Sequence, residues 1–307
     1  MSKQKIDTVS IHAFSKRSNF FFSLLIGILA LSCIIPFVFV VIISFTDEAS
    51  LLKNGYSFFP SGWSLAGYEY LYELKDQILS ALFVTVFITI VGTTLNVFFT
   101  TTYAYAISRS TFKYRRFFTI FMLIQMLFSA GVIPTYIVVT TFLNLKDTLA
   151  ALILPMMLSP FNIMLMRSFF KKTVPESIID SARIDGASEW RIFFKICLPL
   201  TLPGIATISL FTALAFWNDW YNALLYIQSP ELVPLQYLLM KIQANLEYMV
   251  NNAAALGGAQ LSSVGSSIPQ EATRMAMVVL ATLPIACFYP FFQRYFVKGL
   301  TIGGVKE

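Results

Sequence analysis

The polar stretch that decides the organisation of this chain lies at residues 176–199 and reads ESIIDSARIDGASEWRIFFKICLP. It interrupts a chain in which 57% of the residues are hydrophobic and only 12% are charged. Apolar segments flank it on both sides, at residues 148–169 and 200–225. A patterned polar stretch within so apolar a chain indicates a surface that a soluble partner recognises.

The flanking segments belong to a set of six that are long enough to cross a membrane. A transmembrane helix needs about 20 predominantly apolar residues to cross about 30 Å of hydrocarbon, and the mean hydropathy of the whole chain is +0.70. The six segments are residues 20–45, 78–107, 117–142, 148–169, 200–225 and 274–296. They predict an all-α integral membrane protein in which residues 20–296 form one six-span domain.

The distribution of Lys and Arg predicts the orientation of these spans. If the tail at residues 1–19 is cytoplasmic, six spans return the tail at residues 297–307 to the same side, and 17 of the 22 Lys and Arg residues then lie on that side. Cytoplasmic connections carry an excess of these residues. We therefore expect a multi-pass membrane protein with both termini in the cytoplasm, a cytoplasmic connection at 170–199 and its longest external loop at 226–273.

Within the polar stretch, the residue types predict two short helices and a turn. Pro175 suits the start of a helix, and Glu176 in the first turn is favourable for the helix dipole, so we expect a helix over 176–184. Gly186 permits the sharp turn that ends this helix, and a second helix is expected over 187–196. Small side chains around the turn would let another protein approach the backbone closely.

The spacing of the stretch closely resembles the EAA coupling loop of binding-protein-dependent ABC importers. In that family a Glu-Ala-Ala triplet is followed after three residues by Gly, and after nine more by Ile-x-Leu-Pro. The matching residues here are Asp180, Ser181 and Ala182 for the triplet, Gly186 for the glycine, and Ile196, Leu198 and Pro199 for the tail. The resemblance implies a type I importer permease fold with cytoplasmic coupling helices, whose ATPase-coupling residues also include Glu176 and Asp185.

A second resemblance lies at residues 292–306, which are similar to the closing segment of the second permease of maltose-type carbohydrate importers (carbohydrate uptake class 1). An extended segment before the last span is typical of the complex-oligosaccharide branch of that class. The resemblance implies a second homologous permease, two ATP-binding subunits and an extracellular substrate-binding protein. Together they would move a carbohydrate, expected to be an oligosaccharide, by alternating access.

The chain contains no GxxxxGK[ST] phosphate-binding loop. We therefore expect no cofactor on this chain and no catalytic residues, with ATP and Mg bound on the partner ATPase subunits. Cys33, Cys197, Cys287 and His12 do not have the spacing of a metal site, so none is expected. The net charge of +6 is sorted to one side of the membrane, which indicates contact with lipid headgroups rather than nucleic acid.

The candidates for the substrate pathway lie on the predicted fifth span and are Trp217, Asn218, Asp219, Trp220, Tyr221 and Asn222. An ionisable residue such as Asp219 is costly against lipid and is expected to face the bundle interior or an aqueous cavity. Aromatic faces suit sugar C–H groups, and amide and carboxylate groups suit hydroxyls. An aromatic belt at the membrane interface, with Asn218 and Asp219 joining helices, is an equally open interpretation.

The residue patterns leave open the role of Arg274, the role of residues 250–268 and the energy source that drives transport. Arg274 is a candidate contact for an anionic sugar, such as a uronate oligomer, or an anchor at the membrane interface. Residues 250–268 are small and polar, which is typical either of a linker or of a loop that enters the binding protein. The whole chain could also be a secondary transporter driven by an ion gradient, or an ABC importer permease for a non-sugar solute.

Overall fold

The computed structural model describes residues 16–255 and 269–303, and the regular secondary structure there is helical. Most of the predicted N-terminal tail, residues 256–268 and residues 304–307 lie outside this description. The α-helices in chain order are α1 (Lys16–Ser44), α2 (Glu48–Asn54), α3 (Ala66–Glu73), α4 (Lys75–Ser108), α5 (Arg115–Leu127), α6 (Val132–Ile137), α7 (Leu149–Ile153), α8 (Pro160–Thr173), α9 (Glu176–Ile184), α10 (Glu189–Ile192), α11 (Leu198–Leu200), α12 (Leu202–Trp217), α13 (Tyr221–Tyr226), α14 (Leu235–Ala255) and α15 (Gln270–Gly303). π-Helical turns continue α6 over Val138–Phe142 and α10 over Phe193–Cys197, and 3-10 turns lie at Leu154–Met156 and Pro230–Leu232. The predicted all-α class is confirmed.

These helices supply six candidate membrane spans. Three are single helices, Ser18–Ser44, Lys75–Ser108 and Gln270–Phe288. Three are bent pairs, namely Arg115–Leu127 with Val132–Phe142 at 116°, Leu149–Met156 with Pro160–Thr173 at 51°, and Glu189–Leu200 with Leu202–Trp217 at 81°. When each bent pair is taken as one span, the number agrees with the six apolar segments predicted from the sequence. In the third pair, Glu189–Leu200 belongs almost wholly to the polar stretch, and Leu202–Trp217 is the part that lies within the predicted fifth span.

The predicted fifth span over 200–225 is not one helix. The helix α12 has 16 residues, which gives it a length of about 24 Å, and it ends at Trp217. Asn218 Nδ2 donates to the Leu214 carbonyl at 2.9 Å, and the Asp219 carboxylate accepts from the Asn222 N–H at 3.2 Å. Polar groups therefore end α12 and begin α13, a break that the apolar composition of the segment conceals.

The predicted external loop over 226–273 contains α14, a helix of 21 residues that the sequence analysis did not identify. Its buried residues are Leu235, Leu238, Leu239, Ile242 and Leu246. Positions three and four apart lie on one face of a helix, and this face packs against α4 and α15. The connection is therefore partly an integral piece of the folded core.

Two apolar clusters occupy opposite ends of the helix bundle, and α4 runs through both. One cluster contains Leu71, Ile88, Leu152, Trp217 and Leu239. The other contains Ile107, Ile163, Phe170, Ile192 and Ile208. We call the end that holds the second cluster, the 109–116 turn and the 176–200 segment the basic end, and the other the opposite end.

Between the two clusters lies a buried network of amides and hydroxyls that joins α4, α8 and α12. The Asn96 Oδ1 atom accepts hydrogen bonds from the hydroxyls of Thr100, at 3.3 Å, and Thr212, at 3.1 Å. Asn96 Nδ2 donates to the Met156 carbonyl at 3.1 Å, and Asn162 Nδ2 donates to the Thr212 hydroxyl at 3.2 Å. Satisfied polar groups at such a position fix how the helices meet.

Close packing of α4 against α12 depends on Gly92. A Cβ atom at this position would lie 2.5 Å from Phe216 Cζ, which is closer than a carbon atom can approach, and Phe216 is fully buried. Small residues at helix contacts in membranes allow backbones to come together in this way. The phenyl ring of Phe216 therefore occupies the space that any larger residue at 92 would need.

At the opposite end, Asp147 closes the connection between α6 and α7 onto the segment that follows α13. Its carboxylate accepts hydrogen bonds from the N–H groups of Gln228 and Ser229, both at 2.9 Å, and from the Ser229 hydroxyl at 2.5 Å. Hydrogen bonds to an ionised carboxylate favour the charged form. The bond from the Ser229 hydroxyl, followed by the two backbone bonds, lowers the pKa of Asp147 below its ordinary value of 3.8.

Candidate coupling surface and substrate groove

The coupling hairpin, which we define as residues 176–200, turns at Gly186. The φ angle of Gly186 is +77°, a conformation that glycine adopts without steric cost. The Gly186 N–H donates to the Arg183 carbonyl at 3.0 Å, and the Ala187 N–H donates to the Ala182 carbonyl at 2.9 Å. This pair of bonds is a Schellman motif, which ends α9 and reverses the chain.

The helices of the hairpin agree closely with the predicted ones. The predicted helix over 176–184 is confirmed. The second helix begins at Glu189 rather than 187, because the Ser188 hydroxyl accepts from the Arg191 N–H at 3.4 Å and caps the helix start. It continues through a π-helical turn to Leu200, four residues beyond the predicted end at 196.

Arg183 holds the two arms of the hairpin together. Its Nε and Nη2 atoms both lie 2.8 Å from Glu189 Oε1, and its Nη1 lies 3.3 Å from Asp180 Oδ1. Glu189 Oε2 in turn accepts from the Tyr105 hydroxyl at 3.1 Å. This sequence of contacts ties α9 to α10 and both to the end of α4, although the sequence analysis singled out neither Arg183 nor Glu189.

The start of the hairpin is fixed to the 109–116 turn. Glu176 Oε1 accepts from the Ser110 N–H at 3.2 Å, and hydrogen bonding from Ser110 lowers the pKa of Glu176 below its ordinary value of 4.5. The neighbouring Arg109 is only 5% exposed. Its guanidinium lies 5.3 Å from the centroid of the Tyr105 ring and donates to the Phe170 carbonyl at 3.4 Å. A buried cation therefore lies beneath the hairpin, between α4 and α8.

The predicted coupling residues differ in exposure. Ala182 is buried and Ile196 and Leu198 are half-buried, whereas the exposed ones are Glu176, Asp180, Ser181, Asp185, Gly186 and Pro199. The hairpin also presents apolar side chains that the sequence analysis did not identify, since Ile184 is 87% exposed and Trp190 is 62% exposed. Aromatic and apolar groups on a polar surface are typical of the centre of a protein–protein interface.

A groove at the opposite end brings α12, α14 and α15 together. It has a volume of about 630 Å³, within the usual range for small-molecule sites. The described residues that line it are Asn218, Trp220, Gln236, Leu239, Met240, Gln243, Arg274, Met277, Val278, Ala281, Thr282 and Ile285. The mixture of one indole ring, several amides and apolar side chains is suited to a ligand with both apolar and hydrogen-bonding faces.

The structure divides the predicted pathway residues between this groove and the helix contacts. Asn218, Trp220 and Arg274 line the groove. Trp217 is buried, and its indole N–H donates to the Ala281 carbonyl at 3.1 Å, so it joins α12 to α15.

The remaining pathway candidates lie at the start of α13. Asp219 accepts from the Asn222 N–H at 3.2 Å and from Asn222 Nδ2 at 2.9 Å, so its carboxylate is bound to the first turn of that helix. Tyr221 is exposed and does not line the groove. Asp219 is therefore held by its own neighbours rather than pointing into the groove.

Gln236, Met240 and Gln243 line the groove but were missed, because residues 226–273 were interpreted as a loop. The signal was present in the sequence. Leucine or isoleucine at 235, 238, 239, 242 and 246 is the spacing of an amphipathic helix. Recognition of that helix would have placed two glutamines beside Asn218 and Arg274.

Comparisons with known proteins show which family this chain resembles. A family model described as "Binding-protein-dependent transport system inner membrane component" matches residues 97–302. The chain is 40% identical over 273 residues to Protein LplC of Bacillus subtilis (strain 168), covering 89% of each chain. It is 38% identical over 277 residues to the polygalacturonan/rhamnogalacturonan transport system permease protein YtcP of the same organism, covering 90% of this chain and 94% of that protein.

A solved structure is also similar along its whole length. It is the crystal structure of a bacterial ABC transporter involved in the import of the acidic polysaccharide alginate. The matched chain has a TM-score of 0.75 and 27% sequence identity, covering 93% of this chain and 100% of that chain.

Proposed function

Because this chain belongs to the family of binding-protein-dependent transport system inner membrane components, we propose that it is the permease subunit of an ATP-driven importer for an oligosaccharide. The relative named for polygalacturonan/rhamnogalacturonan transport and the similar transporter involved in alginate import support a carbohydrate cargo. Family membership favours this function over an ion-gradient-driven transporter. The activity of the chain is translocation across the cell membrane, and ATP is hydrolysed by other subunits.

The observation that carries this proposal is the coupling hairpin. Its turn, its caps and the Arg183–Glu189 contact fix its shape, while Ile184, Asp185 and Gly186 stay on the surface. A rigid projection with exposed apolar and small residues fits a groove on a separate ATPase subunit. Movement of that subunit would then pass through Glu189 and Tyr105 to α4.

An importer of this kind also requires partner proteins and a defined orientation of the chain in the membrane. A second homologous permease completes the pathway, two ATPase subunits dock at the basic end, and an extracellular binding protein delivers the sugar. The excess of Lys and Arg at the basic end supports a cytoplasmic location for that end and for both termini, in a prokaryotic cell. The two permeases then alternate between inward- and outward-facing states by rigid-body movement.

Copurification from the native membrane in mild detergent tests this proposal. We expect an ATP-binding subunit and a second six-span permease to be recovered with the chain, and the complex in proteoliposomes to take up an oligosaccharide only when ATP and the binding protein are supplied. The chain recovered alone in a transport-competent form, or ATP-independent uptake by the complex, would contradict the proposal.

A further inference from the structure

The lining of the groove at the opposite end carries a positive charge. Among the described residues that line it, Arg274 is the only charged one, and none is a carboxylate. We propose that this groove binds a sugar that carries a carboxylate, a uronate unit of an oligosaccharide, and that Arg274 is the residue that recognises the carboxylate. This inference rests on the proposed function and assigns it a substrate class and a specificity-determining residue.

The guanidinium of Arg274 is available for such a contact. Its Nη1 atom lies 3.9 Å from Glu271 Oε2, which is beyond hydrogen-bonding distance. The same Glu271 oxygen accepts a hydrogen bond from the Tyr56 hydroxyl at 2.5 Å. Arg274 and Glu271 therefore form a long ion pair without a hydrogen bond between the two groups, and the Arg274 side chain is 46% exposed.

Arginine is the side chain best suited to this task. Its planar guanidinium presents parallel N–H donors that match the two oxygens of a carboxylate, and the resulting bidentate pair is both strong and directional. Arg274 lies in the second turn of α15 and is, of the α15 residues that line the groove, the one nearest the start of the helix. A carboxylate entering the groove from the opposite end would meet this cation first.

The other groove residues fit the rest of a sugar ring. Trp220 is 41% exposed and offers an apolar ring face, while a pyranose offers C–H groups on one side and hydroxyls at its edge. Gln236 Nε2 lies 3.5 Å from Asn218 Oδ1, at the limit of a hydrogen bond. Because this contact is weak, each of the two amides can instead form a hydrogen bond with a hydroxyl of the sugar. Gln243 adds a third amide, and Met240 and Met277 add apolar surface.

Two matched sugars test this assignment directly. A galacturonate trisaccharide and its carboxyl-reduced counterpart, in which each carboxylate is replaced by a hydroxymethyl group, differ in charge but hardly in shape. Their dissociation constants would be measured with the complete importer in lipid nanodiscs, without nucleotide and without the binding protein. We expect the wild-type complex to bind the charged sugar at least about 10-fold more tightly, because a site built to pair with a charged group discriminates against an analogue that lacks it.

Three variants separate the possible explanations. Arg274→Gln should weaken binding of the charged sugar by about 10-fold or more and leave the neutral sugar unchanged, which removes the preference. Trp220→Ala should weaken both sugars by a similar factor, because ring stacking does not depend on the carboxylate. Lys241→Gln is the matched control, since Lys241 is an exposed cation on α14 that stacks on Tyr237 at 5.3 Å and does not line the groove.

The outcomes distinguish this inference from the proposed function. If Arg274→Gln keeps the preference, if Lys241→Gln loses it equally, or if the wild-type complex binds both sugars alike, the assignment of a uronate to Arg274 is overturned. The copurification and the ATP-dependent uptake described above use the cargo delivered by the binding protein, so they can succeed when this binding test fails. If they fail, the proposed function fails whatever the groove binds.

Discussion

Gly186 is the residue on which the shape of the coupling hairpin depends most directly. Its φ of +77° places it in the left-handed region, and a Cβ atom there would meet nothing within 4 Å. The cost of a substitution therefore comes from the backbone and not from a clash. For an ordinary L-residue this cost is about 1–2 kcal/mol, enough to shift a short hairpin towards other conformations.

We expect Gly186→Ala to lower the amount of sugar imported per ATP hydrolysed by the reconstituted complex, while the chain still inserts and assembles. Gly186→Asn is the matched variant, because Asn is enriched several-fold in the left-handed region among residues other than Gly, and it should retain most of the coupling. Uptake and ATPase rates measured on the same proteoliposomes give the ratio. If Gly186→Ala imports as much sugar per ATP hydrolysed as the wild type does, the shape of the hairpin does not matter for coupling.

Asp147 makes thermal stability depend on pH in a defined direction. Its folded-state pKa is lowered by the Ser229 hydroxyl and by the N–H groups of Ser229 and Gln228. A carboxyl group of this kind stabilises the fold above its ordinary pKa of 3.8, and the contribution is lost as the pH falls below that value through the lowered one.

The prediction is that the difference in unfolding temperature between the wild type and Asp147→Asn is largest near neutral pH and shrinks as the pH falls below about 3.8. Glu231→Gln is the control, because Glu231 is an exposed carboxylate in the same region. Thermal unfolding of the purified protein in detergent at a series of pH values measures both variants. A difference that does not change with pH would show that the charge of Asp147 is not responsible.

At the scale of elements, the contact of α4 with α12 is set by the space that Gly92 leaves for Phe216. Gly92→Ala would force the buried ring or the helix axis to move, and overpacking of this kind costs about 1–3 kcal/mol. We expect a lower unfolding temperature and reduced expression in the membrane.

Gly27→Ala is the comparison for Gly92→Ala. Gly27 lies in the spanning helix α1, where an added Cβ would meet nothing within 4 Å. Alanine favours the helix by up to about 1 kcal/mol over glycine, so this variant should be unchanged or slightly more stable. If both substitutions destabilise the protein equally, the cause is the replacement of a helical glycine in general and not the contact of residue 92 with Phe216.

At the scale of the whole molecule, Asn96 connects three spans through its hydrogen bonds. Asn96→Leu keeps the approximate size but leaves the hydroxyl of Thr212 and the Met156 carbonyl without these bonds. Loss of partners for buried polar groups costs about 1–3 kcal/mol each. Thr94→Ala, two residues away, is the control, because Thr94 is exposed and bonds only within its own helix. Equal unfolding temperatures for the two variants would contradict a joining role for Asn96.

The sequence predicted the class of fold and the coupling hairpin well, for a physical reason. Membrane spans and helix stops are local patterns, and Gly186 and Ser188 act within a few residues of themselves. The groove depends on positions distant in the chain, since Asn218, Gln236 and Arg274 come together only after α14 has packed on α4 and α15. Trp217 and Trp220 are three residues apart and of the same type, yet one joins helices and the other lines the groove.

The amide–hydroxyl network between the two largest apolar clusters has a consequence for the register of the helices. Apolar contacts are non-directional and tolerate a shift of one helix along another, whereas hydrogen bonds require defined distances and angles. A slip of α12 by one turn along α4 would separate Thr212 from Asn96 and leave both buried groups without this bond. The network thus selects one alignment of α4, α8 and α12, a specificity that the apolar clusters alone would not supply.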